Sequence, residues 1–211
     1  MSEPSVIPLF STPLYVSDEK YVISDSLLNF FLGQETNELK VDNGSGGNYV
    51  SKDSYILNNK QLNGLKEFLE KQLYFYVRNV LSINKKTDFY ITQSWCNINK
   101  KESWHHIHRH QNSMVSGVFY VSGDNCPIVF KHGNYGIFGP SFEFEVDEFN
   151  LFNSGRWSME NKNYRVFLFP SILEHYVEVN ESEKPRVSLS FNTFFRGSAG
   201  KKDGLNELVL N

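Results

Sequence analysis

The sequence predicts a mainly β fold, in which an antiparallel sandwich or barrel-like pair of sheets has helices packed outside one sheet. From residue 87 onward, short β-rich segments follow one another without intervening helices, which is typical of antiparallel sheets rather than βαβ units. Before residue 87, two segments have the apolar spacing of helices. With 40% hydrophobic and 15% aromatic residues among 211, the chain can bury a full core.

We therefore expect a single domain over residues 1–211. Its parts would be a mostly helical flank at 1–86, a β core at 87–197 and a C-terminal tail at 198–211.

The flank is predicted to begin with a strand over Pro8 to Val16. Ser24 offers a helix N-cap, an apolar cluster follows, and Gly33 can end that first helix. From Asn59 to about Ser82, apolar residues recur at spacings of three and four, which predicts a long amphipathic helix. Residues 42–48 are rich in glycine and asparagine and are interpreted as a flexible connecting loop.

Six segments of the β core have the composition of strands. They are Phe89 to Ile98, Val115 to Val121, Pro127 to Lys131, Phe142 to Val146, Tyr164 to Pro170 and Val187 to Phe195. Two loops between them, at 133–140 and 150–163, are candidate lids, because loops carry function more often than scaffold strands do.

Charge and composition exclude several classes of partner. A net charge of −3 and a pI near 6.1 argue against a nucleic-acid partner. No window approaches 18 apolar residues and the N-terminus lacks signal-peptide features, so neither a membrane span nor export is expected. The two cysteines, Cys96 and Cys126, have no metal-ligand spacing and fit reduced thiols in the cytoplasm, with a disulfide between them as the alternative.

Four of the six histidines lie within residues 105–110. Neutral imidazole is a good ligand for iron, zinc, copper and nickel, and two ligands one residue apart share one face of a strand. Both His106-x-His108 and His108-x-His110 have this spacing, and a polar, histidine-rich loop is the plain alternative. His175 follows an apolar strand and a proline turn, where a ligand is rigidly held.

Arg186 begins an alternating strand on which Ser188 and Ser190 share its face. A planar guanidinium suits bidentate binding of a carboxylate, and Ser188 adds a hydroxyl donor. An ordinary ion pair is the alternative explanation for Arg186.

These segments, in this order, resemble the Fe(II)- and 2-oxoglutarate-dependent oxygenases, and within them a group common in cyanophages and marine bacteria. The resemblance runs through nearly the whole chain. It rests on Pro8-Leu-Phe-Ser-Thr-Pro-Leu-Tyr, Ser94-Trp-Cys-Asn-Ile, His108-Arg-His-Gln-Asn-Ser-Met-Val-Ser-Gly-Val-Phe-Tyr-Val, Leu168-Phe-Pro-Ser-Ile-Leu-Glu-His and Arg186-Val-Ser-Leu-Ser-Phe-Asn.

The resemblance implies a double-stranded β-helix, the cupin-like jelly roll, packed on N-terminal helices. It implies Fe(II), 2-oxoglutarate and O2 as cofactors, with His108 and His175 as iron ligands. Arg186 and Ser188 would bind the distal carboxylate of 2-oxoglutarate. It also implies that Tyr120 and Asn97 line the same pocket.

The implied reaction hydroxylates a protein side chain or a small molecule and releases succinate and CO2. The implied location is the cytoplasm, that of the host if the protein is phage-encoded. The aromatic content is compatible with a homodimer.

One position departs from the wider superfamily, which has a carboxylate two residues after the first histidine. This chain has His110 there. His110 is either a third ligand, the interpretation we favour, or a neighbour of the metal that does not bind it. A metal- or ligand-binding module without turnover, or an interaction protein, is the alternative function. A zinc hydrolase is a third hypothesis, but it lacks a general base, because Glu174 would point away from the metal.

Overall fold

The computed structural model describes residues 5–39, 47–123, 126–132 and 144–211. Over these ranges the chain forms two antiparallel sheets and two α-helices. The strands are β1 (Tyr15–Val16), β2 (Thr36–Leu39), β3 (Asn48–Ser51), β4 (Thr87–Asn99), β5 (His105–His108), β6 (Val115–Ser122), β7 (Ile128–Lys131), β8 (Arg156–Met159), β9 (Val166–Pro170), β10 (Glu174–Val177), β11 (Arg186–Ala199) and β12 (Leu208–Leu210).

The larger sheet has the strand order β1-β9-β6-β11-β4-β3-β2, with β12 paired to the far end of β11. The smaller sheet has the order β5-β10-β7-β8. From β4 to β11 the chain passes repeatedly between the two sheets, which is the topology of a double-stranded β-helix. The predicted jelly roll is confirmed.

Two helices cover the outside of the larger sheet. Helix α1 (Asp25–Leu32) begins at Ser24, whose hydroxyl accepts from the Leu27 N–H, and ends at Gly33, as the capping residues predicted. Helix α2 (Asn63–Phe75) follows a 3₁₀ turn, continues into a π-helical turn at Tyr76–Val80, and contacts β4 and β9. Together these segments match the predicted amphipathic helix.

The strands of the larger sheet separate two apolar clusters. On β11, Val187, Leu189 and Phe191 are buried in the cluster that includes the helices. The opposite face of the sheet meets the smaller sheet, where Phe169 of β9 lies edge-on to Phe130 of β7, with ring centroids 4.9 Å apart. Because side chains alternate along β11, its polar residues point into this inner space.

Several local expectations are wrong. Of the predicted strand at 8–16, only Tyr15–Val16 pairs, because the prolines Pro8 and Pro13 have no N–H to donate to a ladder. The flank also contains β2 and β3, which extend the larger sheet.

The predicted connector and one predicted lid contain strands, and one predicted strand is absent where the structure describes it. Asn48, expected in a flexible connector, is buried in β3. The candidate lid at 150–163 includes β8 of the smaller sheet. Of the strand expected over 142–146, residues 144–146 are not a strand, and 142–143 lie outside the described residues, as does the loop 133–140.

Among the described helices, none has the length and apolar character needed to cross a membrane.

Candidate metal and cosubstrate site

Three histidines converge on one side of the smaller sheet. His108 on β5 lies directly opposite His175 on β10. His110 follows β5, and its N–H donates to the Ser171 carbonyl in the turn before β10. One ring nitrogen of each histidine lies within 4.8 Å of the others. The structure therefore brings together the three residues that the sequence selected as metal ligands.

Main-chain carbonyl groups orient two of these rings. The Nδ1 atom of His108 is 2.8 Å from the His106 carbonyl oxygen, and the Nδ1 atom of His175 is 2.9 Å from the Leu173 carbonyl oxygen. Because a carbonyl oxygen only accepts, each Nδ1 bears the proton. Each Nε2 then has a free lone pair, the form in which imidazole binds a metal.

His110 is oriented in the same way by a side chain. Its Nδ1 atom lies 2.5 Å from Oδ1 of Asn192 on β11. This amide oxygen also accepts, so His110 has the same tautomer as the other two rings and its Nε2 is free. All three histidines are thus prepared to bind through the same atom.

Burial keeps the three rings neutral. It lowers the pKa of His108 from an ordinary value of 6.5 to about 4, against the opposing effect of its carbonyl partner. It lowers the pKa of His175 to about 3, with a further contribution from His108. Burial also lowers the pKa of His110. No proton has to leave before a cation binds near neutral pH.

Arg186 is 2% exposed and lies inside the jelly roll. Its Nη1 donates to Oδ1 of Asn99 at 3.1 Å and to the Ser188 hydroxyl at 3.5 Å. Its Nε and Nη2 are buried and have no hydrogen-bond partner among the described residues, and no ion pair is found for it there. A buried cation without a counterion is costly, so this guanidinium is suited to an anionic ligand.

Tyr120 completes the polar group around Arg186. It lies opposite Ser188 in the pairing of β6 with β11, and the Arg186 guanidinium stands 5.1 Å from its ring centroid. Its hydroxyl is buried and unpartnered within the described parts of the chain. Burial raises the pKa of Tyr120 to about 12, partly opposed by Arg186, so the hydroxyl keeps its proton and can donate.

Asn97 lies on the other side of Ser188, in β4. Its Oδ1 accepts from Nδ2 of Asn48 at 2.8 Å, and its Nδ2 donates to the Ser190 hydroxyl at 2.9 Å. Asn97 is therefore part of a buried amide network that forms the wall of the site.

One narrow cavity joins the metal-binding and anion-binding groups. Its lining includes Asn97, His105, His108, His110, His175, Arg186 and Ser188. Sequence reasoning did not assign a role to Asn192 or Asn48, and it named His105 only as one of four clustered histidines. Asn192 stood within the motif that begins at Arg186, so a signal for it was present. Asn48 had none, since only the pairing of β3 with β4 brings it here.

Residues 93–192 match the family model described as "Putative 2OG-Fe(II) oxygenase". The chain contains a 2OG-Fe(II) oxygenase domain. The match spans β4 to β11, and so includes every strand that contributes a histidine or Arg186 to the site. The resemblance seen in the sequence is confirmed, because the matched family is one of 2-oxoglutarate-dependent oxygenases, which use Fe(II) and O2.

Solved structures of similar fold include several oxygenases. A 2OG-Fe(II) family oxidoreductase from Burkholderia pseudomallei has 12% identity and a TM-score of 0.54 over 80% of this chain and 77% of its own. A Pseudomonas putida prolyl-4-hydroxylase has 14% identity and a TM-score of 0.54 over 87% and 94%. HygX from Streptomyces hygroscopicus, solved with nickel, 2-oxoglutarate and hygromycin B, has 13% identity and a TM-score of 0.53 over 86% and 82%.

At these identities the structural likeness shows the fold. A search of curated proteins finds no match to this oxygenase.

Proposed function

We propose that this oxygenase hydroxylates a protein side chain or a small molecule and releases succinate and CO2. The observation that supports this most is the buried Arg186 guanidinium, whose Nε and Nη2 lack partners among the described residues. It lines the same cavity as three histidines with free Nε2 atoms. A molecule with a metal-binding group at one end and a carboxylate at the other satisfies both.

In this proposal His108, His110 and His175 bind Fe(II) through Nε2. The donor set fits, because imidazole is a good iron ligand and each Nδ1 is engaged by an acceptor. Three neutral ligands leave the metal with its full positive charge, which favours an anionic cosubstrate. When bound, the iron and 2-oxoglutarate supply the oxidative chemistry, while the protein orients them and excludes water.

The distal carboxylate of 2-oxoglutarate would bind Arg186, Ser188 and Tyr120. The guanidinium offers two adjacent N–H groups, which match the two oxygens of a carboxylate. The Tyr120 hydroxyl offers a third donor from the neighbouring strand. Asn97 would hold the wall of this pocket rather than bind strongly itself, because its amide is already bonded on both sides.

For the substrate we propose two broad classes, a protein side chain and a small molecule. This breadth is supported by the similar structures, which include a prolyl-4-hydroxylase and HygX with hygromycin B bound. We propose the cytoplasm as the location, where the buried thiols Cys96 and Cys126 stay reduced. We further propose that residues 1–211 act as one domain and that the protein is able to form a homodimer.

The deciding experiment is anaerobic reconstitution with Fe(II) and 2-oxoglutarate, followed by exposure to oxygen and measurement of succinate. Enzymes of this kind release some succinate without their substrate, so the substrate need not be known. We expect iron-dependent succinate from the wild type and a large loss in Arg186→Met. Exposed Arg156→Met, on β8, is the matched control and should retain the signal.

Binding of iron and 2-oxoglutarate without succinate would favour the ligand-binding module over the enzyme. Failure to bind either of them would overturn the site assignment.

A further inference from the structure

A fourth histidine, His105, lines the cavity beside the proposed iron ligands. Its ring stacks on that of His108, with centroids 4.2 Å apart and planes inclined by 22°. Simple alternation would place residues three apart on opposite faces of a strand. A register shift between β5 and β10 pairs His108 with His175 but His105 with Val177, so β5 has one extra residue and both rings face inward.

The hydrogen bond that holds His105 differs from those of the other three rings. Its Nδ1 lies 3.3 Å from Nδ2 of Asn48, and this same amide nitrogen donates to Oδ1 of Asn97. An amide nitrogen only donates, so Nδ1 of His105 accepts and its ring proton is on Nε2. The three proposed ligands bear the proton on Nδ1, so His105 has the opposite tautomer.

A ring with this tautomer offers an N–H where the others offer a lone pair. His105 is therefore suited to donate to an anion rather than to bind the metal. Its stack on His108 places it at the metal end of the cavity, whereas the guanidinium of Arg186 lies with Asn99 and Ser188.

We propose that His105 donates its Nε2–H to the keto-acid end of 2-oxoglutarate, and that Asn48 positions it for this. The inference rests on the proposed function. Asn48 is 1% exposed and belongs to β3, which is added to the jelly roll at the edge of β4. A strand outside the jelly roll would then select the tautomer of a cosubstrate-binding residue.

The test is binding, measured without oxygen by calorimetry and by the charge-transfer absorption of the Fe(II) complex. Two ligands are compared, namely 2-oxoglutarate and 2-oxobutyrate, which has no distal carboxylate. We expect His105→Leu to retain iron but to weaken both ligands by about tenfold or more, because a hydrogen bond to a charged group is lost. Arg186→Met should weaken only 2-oxoglutarate.

Two further variants distinguish a hydrogen bond donated by His105 from a purely structural role of its ring. His105→Gln keeps an N–H near the position of Nε2 and should restore most of the affinity, which a purely structural role would not require. His132→Leu, at an exposed position that follows β7, is the matched control and should leave both affinities unchanged.

If the wild type binds the keto acids tightly and His105→Leu binds them equally well, the role of His105 is overturned, while the proposed function stands. Loss of iron from His105→Leu would also overturn it, because His105 would then be a ligand. If the wild type binds iron but neither keto acid, the proposed function fails together with the inference.

Discussion

Nδ1 of His110 lies 2.5 Å from Oδ1 of Asn192, and this contact links the smaller sheet to the larger one at the metal site. The other two proposed ligands are oriented by main-chain carbonyls near them in sequence. His110 is the one among the three whose orientation depends on a side chain that mutation can remove. Mutation of Asn192 therefore tests whether His110 binds the metal.

We expect Asn192→Ala to weaken Fe(II) binding by about 10- to 100-fold, the usual effect of losing an outer hydrogen-bond partner of a metal ligand. Asn192→Asp keeps an acceptor at the same position and should retain most of the affinity. Competition with a chromophoric chelator measures both. Equal affinity in wild type and Asn192→Ala would mean that His110 is not a ligand.

Replacement of His110 itself tests the departure from the wider superfamily. His110→Ala should lose at least as much Fe(II) affinity as Asn192→Ala, because a ligand is removed. His110→Asp restores a carboxylate and should bind Fe(II), while the lower charge of the site weakens 2-oxoglutarate. Titration of Fe(II), then of 2-oxoglutarate, checks both steps. Full iron affinity in His110→Ala would contradict the three-histidine site.

Arg186→Met should weaken ligand binding without lowering the stability of the ligand-free protein. The wild type buries a cation without a counterion among the described residues, so the ligand-free variant should be no less stable than the wild type. With iron present, 2-oxoglutarate at a hundredfold excess over its Kd should stabilise the wild type by about 2.7 kcal/mol and the variant far less. Thermal unfolding measures both. Equal ligand-induced shifts would remove Arg186 from the binding site.

The neutral histidines predict how the stability of the metal-free protein depends on pH. In the unfolded chain, His108 and His175 take up protons as the pH falls through their ordinary pKa of 6.5. In the folded protein the pKa is about 4 for His108 and about 3 for His175, so both rings stay neutral until a lower pH. The unfolded state therefore binds more protons, and stability falls as pH falls through this window. Each histidine contributes a slope of at most about 1.4 kcal/mol per pH unit.

Urea unfolding between pH 7 and pH 4.5 measures this slope. His108→Gln should make it shallower, whereas His132→Gln, at an exposed position, should leave it unchanged. Identical slopes in the wild type and His108→Gln would refute the assignment of a buried neutral ring.

Gly117 on β6 lies opposite Phe191 on β11, and a Cβ atom there would overlap the phenylalanine ring. We expect Gly117→Ala to destabilise the fold by about 1–3 kcal/mol through overpacking. The double variant Gly117→Ala/Phe191→Leu should lose less unfolding free energy than the two single variants lose together, because the smaller side chain relieves the overlap. Strict additivity in urea unfolding would show that the two positions do not compete for space.

The pair of antiparallel sheets and part of the site are visible in local patterns, whereas the jelly-roll topology was implied by the family resemblance. Alternation along β11 placed Arg186 and Ser188 on one face, and the capping residues Ser24 and Gly33 marked the first helix. The spacing of His108 and His110 marked a shared face near a third histidine. Such features depend on neighbours in sequence, so periodicity and residue type are sufficient to find them.

Other features exist only where distant segments meet. The extra residue in β5 rotates His105 inward, although its separation from His108 would place it outward in a regular strand. Asn48 reaches His105 only because β3 pairs with β4, and Asn192 reaches His110 only across the two sheets. A hydrogen-bond partner selects the tautomer of each ring, and these partners become known only from the tertiary structure, because packing rather than spacing brings them together.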